Sequence, residues 1–315
     1  MSPRKILIDC DPGHDDAVAI LFAARRLDLV GLTTVHGNNS INNTTRNALA
    51  VLELAGINVP VARGAAEPLA QARAADAAVH GKAGLDGADL PEPQRKPLDV
   101  HAIDFLIEMA SRHRGDLVLA AIGPETNVAL ALKREPRLKQ WLREITIMGG
   151  STDRGNVTPA AEFNMYCDPE AAWVVFNSGI PIRMAGLNVT RRTGFDGADI
   201  ARMRASGRSV ARVAADLMDF YLARQRERRG VTVAPMHDVC AIVPYVDESL
   251  ITYRQARVDI ELAGTHTRGM TVCNLESPAG AAAPGEPTAP NARVAVEIAS
   301  ARLIDLVMAT LLTYA

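Results

Sequence analysis

Apolar residues fall along the chain in short unbroken runs that end in polar clusters. Residues 6–8, 29–35, 117–122, 144–148 and 182–187 read as strands. Between them, residues 17–24, 44–54 (stopping at Gly56) and 171–176 read as helices. Strands without alternation are buried on both faces, and strands that take turns with helices belong to a parallel sheet. The expected fold class is therefore α/β: an open, mainly parallel sheet flanked by helices. Residues 209–229 form one long helical stretch whose basic end reads as a solvated face. Farther on, residues 258–262 and 293–298 alternate apolar and polar, with a connection over residues 276–290 rich in Pro, Ala and Gly. That pattern predicts an antiparallel hairpin appended near the C-terminus. A helix over residues 303–312 follows. No internal repeat or clean linker interrupts the pattern, so one domain over residues 1–315 is expected.

Composition narrows the classes. Lys+Arg number 34 and Asp+Glu 36, a formal net charge of -2. That balance offers no broad electrostatic footprint for nucleic acid or an anionic membrane. No apolar run reaches the roughly 18 residues of a membrane span. Met1-Ser2-Pro3-Arg4-Lys5 leads straight into the first strand, without the apolar region of a signal peptide. Cys10, Cys167, Cys240 and Cys273 are scattered, with no C-x-x-C pair for zinc. Reduced, mostly buried thiols and a cytoplasmic location are expected.

Chemistry gathers where strands stop. The first strand runs into Asp9-Cys10-Asp11-Pro12-Gly13-His14-Asp15-Asp16. Two full charges about 4 Å apart repel by about 4 kcal/mol at an effective dielectric of roughly 20. Bringing Asp11, Asp15 and Asp16 together thus calls for a cation, and all-oxygen ligands favour calcium or magnesium over zinc. The competing reading is a helix start, with Asp11 as cap, Pro12 at the first helical position, and Asp15 and Asp16 complementing the dipole. An EF-hand is excluded, because the loop lacks its Gly and Glu. Polar clusters also follow the other strands: His36-Gly37-Asn38, Gly123-Pro124-Glu125, and Gly149-Gly150 with Asn156, Glu162 and Asn164; Met236-His237-Asp238 lies farther on. Ligands of open α/β sheets bind outside the carboxyl ends of the strands. Two long loops, residues 73–97 and 149–168, are candidates for function by their length alone.

The run from Ile8 to Ala17 closely resembles the N-terminal signature of the inosine-uridine preferring nucleoside hydrolases, which are calcium-dependent N-ribohydrolases. Gly37-Asn38, His80-Gly81, Gly149-Gly150, Gly155-Asn156, Ala161-Glu162-Phe163-Asn164 with Asp168-Pro169-Glu170-Ala171-Ala172, and His237-Asp238 match in order and at similar spacing. The resemblance spans nearly the whole chain. It implies a Rossmann-like core and hydrolysis of a ribonucleoside to ribose and free base. It implies a calcium ion held by Asp11, Asp16, Asp238 and the backbone carbonyl of Ile122, with Asp11 as general base. It also implies ribose binding by Asp15, Asn38, Asn156, Glu162, Asn164 and Asp238, and His80 near the site on a mobile loop. His237 is placed to protonate the departing base, above all a purine. Members contact the base with the helix that here carries Tyr221, Gln225 and Arg229, spaced by four. A single Tyr with Gln and Arg is not the aromatic set that suits purine stacking, and Gln225 is able to pair with a pyrimidine edge; the preferred base stays open. A homodimer or homotetramer is implied as well. Asp168 reads as a helix cap, Asp9 is unassigned, and His14 is expected at the surface or behind the site. Two other functions fit parts of the pattern. One is a non-catalytic, calcium-dependent nucleoside or ribose binding protein. The other is a magnesium phosphotransferase, since Asp9-Cys10-Asp11 is similar to an aspartyl nucleophile followed two residues later by an acid.

Overall fold

The computed structural model describes residues 3–73, 78–276 and 289–315. Eleven strands occur among them: β1 (Lys5–Cys10), β2 (Asp28–Thr34), β3 (Val61–Arg63), β4 (Leu117–Ala121), β5 (Leu142–Met148), β6 (Ile182–Ala185), β7 (Gly194–Phe195), β8 (Ala234–Pro235), β9 (Ile251–Ile260), β10 (Thr271–Asn274) and β11 (Ala292–Ile298). Nine of these form one sheet in the order β10-β9-β11-β6-β5-β4-β1-β2-β3. From β11 to β3 every neighbouring pair is parallel. Residues of β1 and β4 are uniformly apolar on both faces apart from Lys5 and Asp9, as a doubly covered sheet requires. One face packs Ile6, Ile8, Val118 and Ala120 against helices, and the other packs Leu7, Leu117, Leu119 and Ala121.

The helices are α1 (His14–Arg26), α2 (Ile41–Leu54), α3 (Ala102–Arg112), α4 (Thr126–Arg134), α5 (Leu138–Trp141), α6 (Phe163–Cys167), α7 (Pro169–Phe176), α8 (Leu187–Thr190), α9 (Gly197–Ala205) and α10 (Ser209–Arg229). Two more, α11 (Val239–Ile242) and α12 (Ser300–Leu311), follow. α1 starts three residues earlier than its apolar pattern. Gly13 is its N-cap, and the Asp16 carboxylate accepts from the backbone N–H of Gly13 at 2.9 Å and of Asp11 at 3.2 Å. Pro12 therefore precedes the helix, and Asp15 and Asp16 lie in its first turn. α10 keeps the bounds its sequence suggests, and closes on Gly230 in the left-handed conformation.

The antiparallel hairpin is present as β9 and β11, with a third strand added. β10 lies inside the connection and pairs with residues 257–260, while β11 pairs with residues 251–256. Residues 293–298, expected to pair with residues 258–262, pair instead with the earlier half of β9, because β10 takes the later half. Residues 277–288 of the Pro/Ala/Gly-rich connection, and residues 74–77 of the first long loop, lie outside the described residues. Among the elements that went unread in the sequence are β3, which is three residues long, and α3, whose Phe105, Leu106, Met109 and Ala110 face the core.

Strands β3-β2-β1-β4-β5-β6 stand in an order that reverses between β1 and β4. The chains leaving those two strands part company there and open a crevice at their carboxyl ends. Asp11 follows β1 and Ile122 follows β4, so the sheet order itself puts the acidic run and the Ile122 carbonyl side by side.

Candidate active site

Asp11 enters the crevice directly after β1. Its Oδ2 accepts from the backbone N–H of Asn38 at 2.6 Å, and its own carbonyl accepts from the Asn38 amide at 3.2 Å. Asn38 also donates to Asp16 at 3.3 Å, so the loop after β2 is stitched to the loop after β1. This approach needs Gly37: a Cβ there would collide with the Asp11 carboxylate, and its φ of 155° lies outside what side chains favour.

Carboxylate oxygens of Asp15, Asp16 and Asp238 lie within 4.8 Å of one another, all buried. Asp11 faces the same space. Burial is the largest cause raising all four carboxyls above the ordinary range. Asp11 is raised further by Asp16 and Asp15, and Asp238 by Asp15 and Asp16. Asp15 is pushed up to about 8, again with Asp16 as the second cause. Asp16 reaches about 6, held back by the amides of Gly13 and Asp11. Four buried acids, three of them raised further by their neighbours, describe a hole for positive charge. Hard oxygen donors at this density suit a divalent cation such as calcium or magnesium. Of the helix-start reading only the dipole part holds: Asp15 and Asp16 lie in the first turn of α1, but the cap is Gly13 and not Asp11, and Pro12 precedes the helix. Asp16 lies behind the cavity wall, where its oxygens brace the loop. The Ile122 carbonyl accepts from the Asn164 amide at 3.0 Å.

The opposite wall comes from the long loop after β5. Glu162 caps α6 and accepts from the N–H of Gly150 at 3.0 Å and of Met165 at 3.2 Å. Asn164 spans from Ile122 O to Met148 O, at 3.0 and 2.9 Å, and locks the ends of β4 and β5 together. Asn156 turns a buried Oδ1 into the site without a partner, while its carbonyl accepts from Arg229 at 3.1 Å. A buried unpartnered amide oxygen is costly unless a ligand supplies the donor.

The third wall is α10. Tyr221 and Gln225 are buried and linked, the Gln225 amide donating to the Tyr221 hydroxyl at 2.9 Å. His80 stacks on Tyr221 with ring centroids 5.0 Å apart. His237 touches Thr190 Oγ1 through Nδ1 at 2.8 Å. Burial first, then Arg229 and Arg191, lower its pKa to about 3. That environment favours the neutral ring.

Together these walls enclose a cavity of about 470 Å³, lined by Asp11, Asp15, Asn38, His80, Ile122, Asn156, Glu162, Asn164, Tyr221, Gln225, His237 and Asp238. Every residue expected at the site lines this cavity except Asp16, which sits just behind it. Val79, Met148, Val157, Phe163 and Arg228 line it too and were not foreseen. Met148 could have been found as the last residue of a strand, and Phe163 as the neighbour of Glu162. His14, expected at the surface or behind the site, is behind it, fully buried between His80, Tyr221 and Phe220. Asp168 caps α7 as expected, accepting from Ala171 N at 3.1 Å. Asp9 serves the interior: its Oδ1 accepts from Thr33 at 2.5 Å and Asn127 at 2.8 Å, away from the cavity.

Residues 6–305 match the family model of the inosine-uridine preferring nucleoside hydrolases. The chain is 41% identical over 314 residues to a pyrimidine-specific ribonucleoside hydrolase, RihA, of Citrobacter koseri, covering 98% of both chains. It is 42% identical over 315 residues to the RihA of Shewanella woodyi, covering 99% of both. Among solved structures it superposes on a plant nucleoside hydrolase, PpNRh1, with a TM-score of 0.92 at 35% identity, covering 98% of this chain and 99% of that one. A purine-preferring ribonucleoside hydrolase from Gardnerella vaginalis gives a TM-score of 0.91 at 30% identity, with 98% of both chains covered.

Proposed function

Since the chain belongs to the inosine-uridine preferring nucleoside hydrolase family, and is thereby a ribonucleoside hydrolase, we propose that it is a calcium-dependent enzyme that favours pyrimidine ribonucleosides. The observation that carries the reading is convergence. One cavity is lined by the buried carboxyls of Asp11, Asp15 and Asp238, with Asp16 just behind them, and by Asn156, whose amide oxygen is buried and unpartnered, and the Tyr221–Gln225 pair.

In the reaction, a water oxygen bonds to C1′ of the ribose while the bond from C1′ to the base nitrogen breaks. The base keeps the electron pair, and the water loses a proton. A calcium ion in the nest of Asp11, Asp16, Asp238 and the Ile122 carbonyl would neutralise the acids, gather the sugar diol beside the attacking water, and make that water more acidic. Asp11 takes the proton. Its position is fixed by the Asn38 amide, so little reorganisation is needed. Asp15, Glu162 and Asp238 surround the sugar with negative charge as it becomes oxocarbenium-like, and so bind the transition state better than the ground state. Asn38, Asn156 and Asn164 orient the hydroxyls. His237, neutral, faces the base. Tyr221 offers its ring to the base plane, and Gln225 an amide edge that complements a pyrimidine. The RihA relatives, named as pyrimidine-specific, support this preference. We also infer that residues 1–315 act as one domain and assemble as a homodimer or homotetramer.

A substrate panel tests the preference. With calcium present, uridine and cytidine should release base and reducing sugar with kcat/KM at least roughly 10-fold above inosine. A preference for inosine contradicts it, and binding of uridine without turnover would favour a non-catalytic module.

A further inference from the structure

Asn156 reaches the cavity from a loop, residues 149–162, that contains no helix or strand. Its amide can be aimed only if the turn beneath it is held. Inside the turn, the backbone N–H groups of Gly155 and Asn156 donate to the carbonyls of Pro159 at 2.9 Å and Ala161 at 3.0 Å. The turn is tight, since a Cβ on Gly155 would run into the carbonyls of Ala161 and Thr158. Three successive carbonyls, those of Arg154, Gly155 and Asn156, are met by guanidinium groups from other elements. Arg191 Nη2 donates to the first two at 2.9 and 2.6 Å, and Arg229 donates to the third at 3.1 Å. Arg191 Nη1 also donates to the Asp153 carboxylate at 3.2 Å. One guanidinium thus spans Asp153 to Gly155, directly ahead of Asn156.

Arg191 stands on a fixed stem. It is the C-cap of α8, whose Leu187 and Val189 are buried. The Leu187 N–H donates to the Gly150 carbonyl at 2.9 Å, at the start of the same loop. Asn188 accepts from the Thr152 N–H at 3.4 Å and donates to the Ala295 carbonyl of β11 at 2.9 Å. The ion pair with Asp153 adds little, because its side chains are 25% and 56% exposed. The carbonyl bonds hold the turn: they are charge-assisted, and a planar fork fixes two acceptors where a single flexible ammonium does not. Arg191 is not among the residues that line the cavity.

We propose that Arg191 is a positioning residue for the sugar-binding wall, pinning from outside the cavity the turn that aims the Asn156 amide at the ribose. This deepens the proposed function and rests on it. Arg191 also places positive charge near His237, so its bonds have to be separated from its charge. Arg191→Lys does this, because it keeps the charge and loses the fork.

The pin is tested first without substrate, by hydrogen–deuterium exchange of the full-length, calcium-loaded protein. In Arg191→Met, exchange at the N–H groups of residues 155–157 should rise roughly 10-fold while the parallel strands keep their wild-type rates. Arg191→Lys should loosen the turn nearly as much. Unchanged exchange, a rise spread over the whole sheet, or full rescue by lysine overturns the proposal. The consequence is then read in steady-state hydrolysis of uridine. Asn156→Ala and Arg191→Met should each lower kcat/KM roughly 10-fold, and the double variant should lose no more than Asn156→Ala alone. Combined with Gln225→Ala, the Arg191→Met loss should multiply in full, as for independent sites. Losses that multiply for the Arg191–Asn156 pair overturn the proposal, and so does a failure to multiply with Gln225. If Asn156→Ala leaves uridine turnover intact, the sugar-binding role given to Asn156 under the proposed function fails and this proposal with it. Unchanged exchange sinks the proposal alone.

Discussion

Asp11 has two oxygens and two tasks. Oδ2 is held by the Asn38 amide at 2.6 Å. Oδ1 lies on the side toward Gly123, where only the absence of a Cβ leaves it room. A carboxylate so placed can take a proton without moving, whereas an amide of the same shape cannot take one at all. Asp11→Asn should therefore lower kcat for uridine by about 10²–10⁴-fold while the dissociation constant for uridine changes little, measured by steady-state kinetics beside calorimetric titration. The identity of such residues was legible in the sequence, because Asp11, Glu162, Asn164 and Asp238 sit in motifs with ordered spacing. Their environment was not. His14 stands among acids and reads as either exposed or behind the site; what buries it is Tyr221 and Phe220, residues of α10 that no local pattern connects to it. The two arginines that, after burial, lower the pKa of His237 come from distant segments that no local pattern connects to it.

At the scale of elements, α10 supplies the wall that the base meets. Its length was readable because apolar positions recur at helical spacing from Val210 to Leu222, with glycines at 207 and 230 outside its ends. What it offers the ligand is set by one pair, the Gln225 amide on the Tyr221 hydroxyl. That bond spends one amide hydrogen and leaves the rest of the amide for a ligand. Gln225→Ala should lower the ratio of kcat/KM for uridine over inosine by roughly 10-fold, since a lost hydrogen-bonding edge hurts only the base that used it. An unchanged ratio would remove Gln225 from base selection. Shorter elements escaped the sequence for a physical reason. β3 and β10 hold three and four residues, too few for any period to show, and both are held by neighbours, β2 and β9 respectively. The convergence of loops was equally invisible, because it follows from strand order and not from any one segment.

For the whole molecule, the reversal of strand order between β1 and β4 concentrates buried charge at one place, and stability should report it. Four histidines, His14, His36, His80 and His237, are buried with pKa values lowered mainly by burial. Unfolded, they take up protons near pH 6.5. Between about pH 6.5 and about pH 4 the unfolded chain binds more protons through them, so acidification favours unfolding. The nest acids have the opposite sign when no cation is present. Asp11, Asp15, Asp16 and Asp238 keep protons in the fold that the unfolded chain has released, so acidification favours folding through them. In excess calcium, Tm should fall steadily from about pH 7 to about pH 5; in chelator the fall should be shallower. A steeper fall in chelator than in calcium contradicts this. The measurement that bears most directly on the nest itself is a calcium titration of exhaustively stripped protein, with uridine hydrolysis followed at each addition. Turnover should be absent at the start and rise to its limit as one ion binds per chain. Full turnover in the stripped protein, unchanged by added calcium, would contradict the account.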